Sequence, residues 1–178
     1  EVKIQEDGTE NVNEIFYLSN TSQFRPIMLW GSGHFRNTFI YAKNADGTND
    51  KSHLVSYAGS NRNVVIPNTV KIIGHSSFID QNVSSITIPE GVQKIESHAF
   101  WATGLTKINL PESLLIIEQQ GLATTNISSI LIPKNVSYIG NNAFQGCNNL
   151  RTIQIDKEKD SISGSKWGAP NATVEWLA

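Results

Sequence analysis

Four prolines set the frame of this chain. Pro67, Pro89, Pro111 and Pro133 follow one another at a constant spacing of 22 residues. Each is preceded by an aliphatic residue: Ile66, Ile88, Leu110 and Ile132. Three residues on come Val70, Val92, Leu114 and Val136, and three further on Ile73, Ile95, Ile117 and Ile139. A small residue then precedes a large apolar one, in Ser77-Phe78, Ala99-Phe100, Gly121-Leu122 and Ala143-Phe144. Each unit closes on Val83, Leu105, Ile127 or Leu150, and the fourth carries one extra residue between Phe144 and Leu150. A fixed period of this length is the mark of a stacked-repeat architecture, in which no unit buries its apolar side alone.

The local pattern gives each part of the unit a shape. Ser85–Ile88, Lys107–Leu110, Ser129–Ile132 and Thr152–Ile155 alternate between aliphatic and mostly polar residues, the period of a strand with one wet face. The proline ends the strand because it has no N–H for the ladder. Asn82, Gly104, Asn126 and Asn149 precede the closing aliphatics and are of types that tolerate a left-handed backbone, so a tight corner is expected there. Ser-Ser-Phe, His-Ala-Phe and Asn-Ala-Phe fit a single helical turn. Strand stacked on strand advances roughly 4.8 Å per coil. The expected product is a short, right-handed, parallel solenoid, with Phe78, Phe100, Leu122 and Phe144 in one buried column.

The repeating Ile-x-Ile-Pro-x-x-Val-x-x-Ile-Gly/Glu-x-x-Ala-Phe over about 62–156 resembles the BspA-like (Treponema-type) leucine-rich repeat. Leu54 to Gly59, running into Val64 to Pro67, is similar to the opening strand of such arrays. Ile162 to Trp176 is similar to their closing segment, with Lys166 where the family usually has proline before Trp167. The resemblance implies an α/β leucine-rich-repeat solenoid, rich in β structure. It also implies an extracellular or cell-surface bacterial protein, adhesin-like, that binds other macromolecules, host or cell-surface proteins among them.

Domain boundaries follow from where the period starts and stops. Residues 1–51 do not repeat. Apolar patches at Ile15–Leu18, Ile27–Trp30 and Phe39–Ala42, separated by turn-forming residues, predict three or four antiparallel strands. They form either a β cap over the first coil or a small β module with its own ligand. An opening strand (52–61), four coils (62–156) and a closing segment (157–178) complete the chain, with Trp167 and Trp176 expected to close the last coil.

The chemistry expected of the chain is sparse. Its 178 residues carry a net charge of -2, so no basic surface offers itself to nucleic acid. No apolar run reaches the length of a membrane span. No signal peptide is visible, and a first residue of Glu suggests a trimmed or processed fragment. The single cysteine, Cys147, permits no internal disulfide and no thiolate zinc cage, and reads as a small buried filler. His34, His53, His75 and His98 show no metal-ligand spacing, and read as surface or corner residues. Gly31-Ser32-Gly33-His34 lacks the rest of a phosphate loop, and Asn44 to Gly47 lacks the ligand set of a calcium loop. The Asn-x-Ser/Thr sequons at Asn20, Asn82, Asn126, Asn135 and Asn171 carry little weight in so polar a chain.

No nucleophile elbow is present. No catalytic residue, cofactor or metal is therefore expected. The leading reading is a non-enzymatic, protein-binding scaffold. The alternative is a carbohydrate- or cell-wall-binding module of a larger surface protein or enzyme. Candidate contact residues are those apolar where the core is already supplied: Leu115, Ile116 and Tyr138 between the core aliphatics, and Trp101 beside Phe100.

Overall fold

The structure, a computed structural model, describes the backbone of Asn13–Tyr17 and all of residues 38–178. The expected strand at Ile27–Trp30 and the Gly31–His34 segment lie outside the described residues.

The chain forms a β-solenoid of about six stacked coils, and each coil has three hydrogen-bonded sides. The first side carries the strands ahead of the prolines: β4 (Asn63–Val65), β6 (Ser85–Thr87), β8 (Lys107–Asn109), β10 (Ser129–Ile132), β12 (Thr152–Ile155) and β13 (Thr173–Trp176). All its ladders are parallel, in the order β4-β6-β8 and β10-β12-β13, with β8 and β10 side by side between them. The registers align Val64, Ile86 and Ile108 in one inward column, and Ile130, Ile153 and Val174 in another.

The second side was not foreseen as strand. The Val-x-x-Ile segment after each proline contributes the two-residue strands β5 (Ile72–Ile73), β7 (Lys94–Ile95), β9 (Ile116–Ile117) and β11 (Tyr138–Ile139). They continue a sheet begun by β1 (Asn13–Tyr17), β2 (Thr38–Lys43) and β3 (Asn49–Ala58), in the order β1-β2-β3-β5-β7-β9-β11. Strand β3 pairs antiparallel with β2 across the turn at Asn44–Thr48, and parallel with β5 on its other edge. The first pair departs from expectation. Strand β1 runs parallel to β2 rather than antiparallel, an arrangement the twenty residues between them make possible, since a parallel pair needs a crossover of a dozen or more.

The third side corrects the expectation of a helical turn. Among the described residues the one helical element is a 3-10 turn at Lys166–Gly168. Around each core aromatic the backbone instead alternates in hand. Positive φ occurs at Ser76, His98, Gln120 and Asn142, two residues before the column, and at Asp80, Ala102, Thr124 and Gly146, two residues after it. Asn82, Gly104, Asn126 and Asn149 do not adopt it.

The alternation has a physical cause. It turns every second N–H toward the neighbouring coil: Ser76 to the Ser97 carbonyl, Phe78 to Ala99 and Asp80 to Trp101. The intervening N–H groups close local bonds, Ser77 to Gly74 and Ile79 to Ser76. A helix would satisfy only the local set. A left-handed non-glycine residue costs about 1 kcal/mol. The inter-coil bond it enables offsets a similar amount, about 1 kcal/mol net.

The core fills as the period predicts. Phe78, Phe100, Leu122 and Phe144 form one fully buried column, and the Val70 and Ile73 columns are equally closed. The aromatic column extends further than the repeat showed. Phe39 packs on Tyr57 at 5.3 Å between ring centroids, Tyr57 stacks on Phe78 at 5.2 Å, and Phe78 on Phe100 at 5.2 Å. At the far end the Phe144 N–H donates to the Trp167 carbonyl, which puts Trp167 in register with Ala99, Gly121 and Ala143, one residue before the aromatic column, with its side chain buried. Cys147 is buried as expected, its thiol pushed up by burial and bonded to the Leu122 carbonyl.

Candidate functional site

The parallel register fixes which residues share the outer face of the second side. Ladder pairing places His53, Ile72, Lys94, Ile116 and Tyr138 in one column. Backbone bonds place Ser52, Lys71, Gln93, Leu115 and Ser137 beside it. Leu115 is 40% exposed and Tyr138 54%, whereas Ile116, between Lys94 and Tyr138, is half-buried. Three of the four candidate residues therefore meet: Tyr138 is the direct ladder partner of Ile116, and Leu115 precedes it in the chain. Trp101, half-buried, sits on the adjoining third side, in the turn that carries Phe100. The first side is dotted rather than patched, with Val65 and Leu131 exposed among Thr87, Asn109 and Gln154.

A charged network borders the apolar group, and sequence reasoning missed it. Lys94 Nζ lies 2.7 Å from Glu118 Oε1 and 3.3 Å from Glu96 Oε1. His53 Nε2 lies 3.6 Å from Glu96 Oε2. Each glutamate also reaches back one coil to accept a main-chain N–H, Glu96 from His75 at 2.9 Å and Glu118 from Ser97 at 3.0 Å.

Glycine makes room for this. Gly74, Glu96, Glu118 and Gly140 occupy equivalent positions, and a Cβ on Gly74 would come within 3.0 Å of His53 Nε2 and within 2.4 Å of the Leu54 carbonyl. Because Gly74 has none, His53 and Glu96 meet across an intervening coil. The Gly/Glu alternation in the repeat was the available signal, but only the stacking shows which groups it joins.

The network sets its own charges. The contact with His53 is the main reason the Glu96 carboxyl is held at about 2, against the opposing effect of burial; the charges of His53 and Lys94 and the His75 N–H add to it. For Glu118 burial is the largest influence and would raise the carboxyl, but the bonds from Lys94 and Ser97 together outweigh it and the carboxyl titrates low. Lys94 is raised, mainly by its bond to Glu118. All four side chains satisfy one another, so the network is a fixed polar border rather than a set of groups poised for proton transfer.

His75 and His98 bring their rings edge to face at 5.4 Å, but no metal site forms around them. Among the described residues no group of three His, Cys, Asp or Glu side chains is placed to hold a metal ion, and no helix is long and apolar enough to cross a membrane. Phe39 and Tyr41, the aromatic residues of the N-terminal region whose side chains the structure describes, are buried and offer no stacking surface to a glycan.

A solved structure shares this architecture. The pneumococcal vaccine antigen PcpA superposes with a TM-score of 0.59 at 20% identity, over 78% of this chain and 39% of PcpA, so this chain spans well under half of that protein. A leucine-rich repeat protein from Bacteroides ovatus matches at 17% identity and a TM-score of 0.47, over 86% of this chain and 45% of its own. A leucine-rich cell surface protein from Faecalibacterium prausnitzii matches at 21% identity and a TM-score of 0.38, over 72% of this chain and 55% of its own. No curated protein sequence matches significantly. The model of the BspA type leucine rich repeat region matches residues 52–167 in six copies, from β3 to the Trp167 turn. Coil for coil, this is the stack that the ladders build, and the chain belongs to the BspA-type leucine-rich repeat family.

Proposed function

We propose that this chain is a non-enzymatic repeat scaffold, displayed at a bacterial cell surface, that holds another protein on the outer face of the β5-β7-β9-β11 sheet. The contiguous group Leu115, Ile116 and Tyr138, apolar and facing solvent beside a self-satisfied charged border, carries this reading. Core demand is met by Leu114, Ile117, Val136 and Ile139, so the fold itself does not require aliphatic or aromatic residues there. An apolar cluster with a polar rim is the usual anatomy of a protein-binding patch, and tyrosine and tryptophan are frequent anchors in such patches. Trp101 extends the surface onto the third side.

The cell-surface setting is drawn from the Faecalibacterium protein's description and from family membership. In this reading residues 1–51 act as a cap, since β2 contributes Phe39 and Tyr41 to the same core as the coils.

The test is a Trp101→Ala/Tyr138→Ala double variant, assayed against a panel of host-surface and bacterial-surface proteins and against itself. The expected outcome is a loss of affinity of at least about tenfold with an unchanged circular dichroism spectrum. Unchanged association with intact folding rejects the patch. A collapsed spectrum shows that these residues belong to the core.

A further inference from the structure

A net charge of -2 conceals an uneven distribution of charge over the coils. On the first side two adjoining columns carry cations and no carboxylate. Main-chain bonds put Arg62 in line with Ser84, and Arg151 in line with Ser128, at the heads of their strands. Ladder pairing puts Lys107 in line with Ser85, in the first outward column. The remaining positions of both columns are serine, threonine and asparagine. Acidic side chains stand elsewhere. Glu90 and Glu112 lie past the prolines, at the opposite ends of the strands, and Glu90 accepts the Glu112 and Ser113 N–H groups. In the second outward column Glu175 accepts from the Gln154 amide at 3.0 Å.

The three cations are exposed, and among the described residues no carboxylate pairs with them. Lys94 on the second side is the contrast, held by Glu96 and Glu118. Arg151 spends one guanidinium nitrogen on the Asn148 and Leu150 carbonyls, and its others have no partner among the described residues. The cations also keep step. Arg62 precedes β4, Lys107 opens β8 and Arg151 precedes β12, so each lies two coils from the next. At roughly 4.8 Å per coil that interval is about 10 Å. The core does not ask for them, since Val64, Ile108 and Ile153 fill the inward positions of the same strands. This face runs along the stack rather than across either end, and it is open: Val65 is 66% exposed and Leu131 49%.

We propose that the first side is a second binding surface, which takes a linear polysaccharide bearing a carboxylate on every second sugar, laid along the stack. A sugar ring in an extended chain advances about as far as one coil, so successive carboxylates fall at the interval of Arg62, Lys107 and Arg151. A planar guanidinium matches a carboxylate in shape as well as charge. The hydroxyl and amide groups between the cations face the sugar hydroxyls, and Val65 and Leu131 offer contact to ring C–H groups. A nucleic-acid strand fits worse. It carries a phosphate about every 3.4 Å, so most of its charge would meet serine and threonine. A folded acidic protein seldom presents charges at a constant interval in a straight line. The surface is separate from the Leu115, Ile116 and Tyr138 group and does not depend on it.

The probe is a hexasaccharide of alternating glucuronate and N-acetylglucosamine, which carries three carboxylates, titrated into the full chain at low salt in a calorimeter. It should bind at least about threefold more tightly than the tetrasaccharide, which carries two. A neutral hexamer of N-acetylglucosamine should not bind. Arg62→Gln/Lys107→Gln should weaken the acidic hexasaccharide about tenfold with an unchanged circular dichroism spectrum. Lys71→Gln/Lys159→Gln, which removes the same charge elsewhere, should leave affinity as it was, and so should Tyr138→Ala.

No binding of the acidic hexasaccharide at millimolar concentration overturns the inference. So does equal binding of the neutral hexamer, or a loss in the Arg62/Lys107 variant no greater than in the Lys71/Lys159 variant. The comparison among sugars holds whether or not a variant folds. A polyglutamate peptide or a short oligothymidylate that binds more tightly than the acidic hexasaccharide, and loses affinity in the Arg62/Lys107 variant, gives the face to an acidic protein or a nucleic acid and overturns the choice of occupant.

Discussion

The stack is closed differently at its two ends. At the N-terminal end β2 lies antiparallel against β3 and brings Phe39 and Tyr41 into the core, so on the second side one strand covers both edge and apolar interior, while β4 ends the ladder of the first side. At the C-terminal end the two jobs are divided. Trp167 covers the interior from a strained backbone, with φ of 40° following a Lys166 φ of 56°, and β13 continues the first side without covering its own edge. Gly164, with φ of 112°, lets the chain pass close to the indole, for a Cβ there would come within 2.5 Å of Trp167 Nε1. Sealing a core and satisfying a sheet edge are therefore separable requirements. A single ring can do the first, but only another strand can do the second.

The largest effect should come from the coil that both ends protect. Phe100→Ala leaves a cavity between neighbouring coils in the middle of the column, and a loss of about 3–5 kcal/mol is expected in urea unfolding. A change under about 1 kcal/mol there would mean that the coils do not rely on a continuous interior.

The C-terminal pair sharpens the division of labour. Trp167→Ala should cost about 2–4 kcal/mol, the usual loss for a buried ring less some relief of backbone strain. Trp176→Ala, at the half-buried edge, should cost about 1 kcal/mol. Equal losses would dissolve the distinction between plug and edge.

The smallest effect concerns Glu96. Its carboxyl lies below its ordinary value in the folded chain, so the stability it supplies is present above about pH 4.5 and fades as the pH falls toward 2. Glu96→Gln should lower stability by about 1 kcal/mol at pH 7, a figure reduced for solvent screening, and the variant and parent should converge near pH 2. A gap that widens as the pH falls from about 4.5 toward 2 would reverse the sign and remove His53 and Lys94 as its cause.

How much of this was legible depended on whether chemistry repeated along with position. The Val70, Ile73, Phe78 and Val83 columns were readable because burial selects the same kind of side chain in every coil. The left-handed positions were not. Ser76, His98, Gln120 and Asn142 share a conformation but no residue type; at Ser76 and His98 an inter-coil hydrogen bond asks for the angle, and the side chain only tolerates it. Asn82, Gly104, Asn126 and Asn149 repeat as residue types that permit that conformation, yet the chain does not place it there. The two-residue strands of the second side escaped notice because their pattern is too short to show a period. The apolar surplus at Leu115, Ile116 and Tyr138 could be read by subtraction from the core. The charged border could not, since His53 and Glu96 are 43 residues apart and meet only through a missing side chain at Gly74.

That gap at Gly74 bears on how the array unfolds. Repeat stacks are commonly described as chains of units coupled only to their immediate neighbours, so that fraying proceeds one unit at a time. A contact that bypasses a unit adds a second-neighbour term between β3 and the coil of Glu96, with the intervening coil clamped between them. Melting of the opening strand then costs the third coil its partner as well as the second. The first three coils should open together as one cooperative block, while the C-terminal coils fray singly.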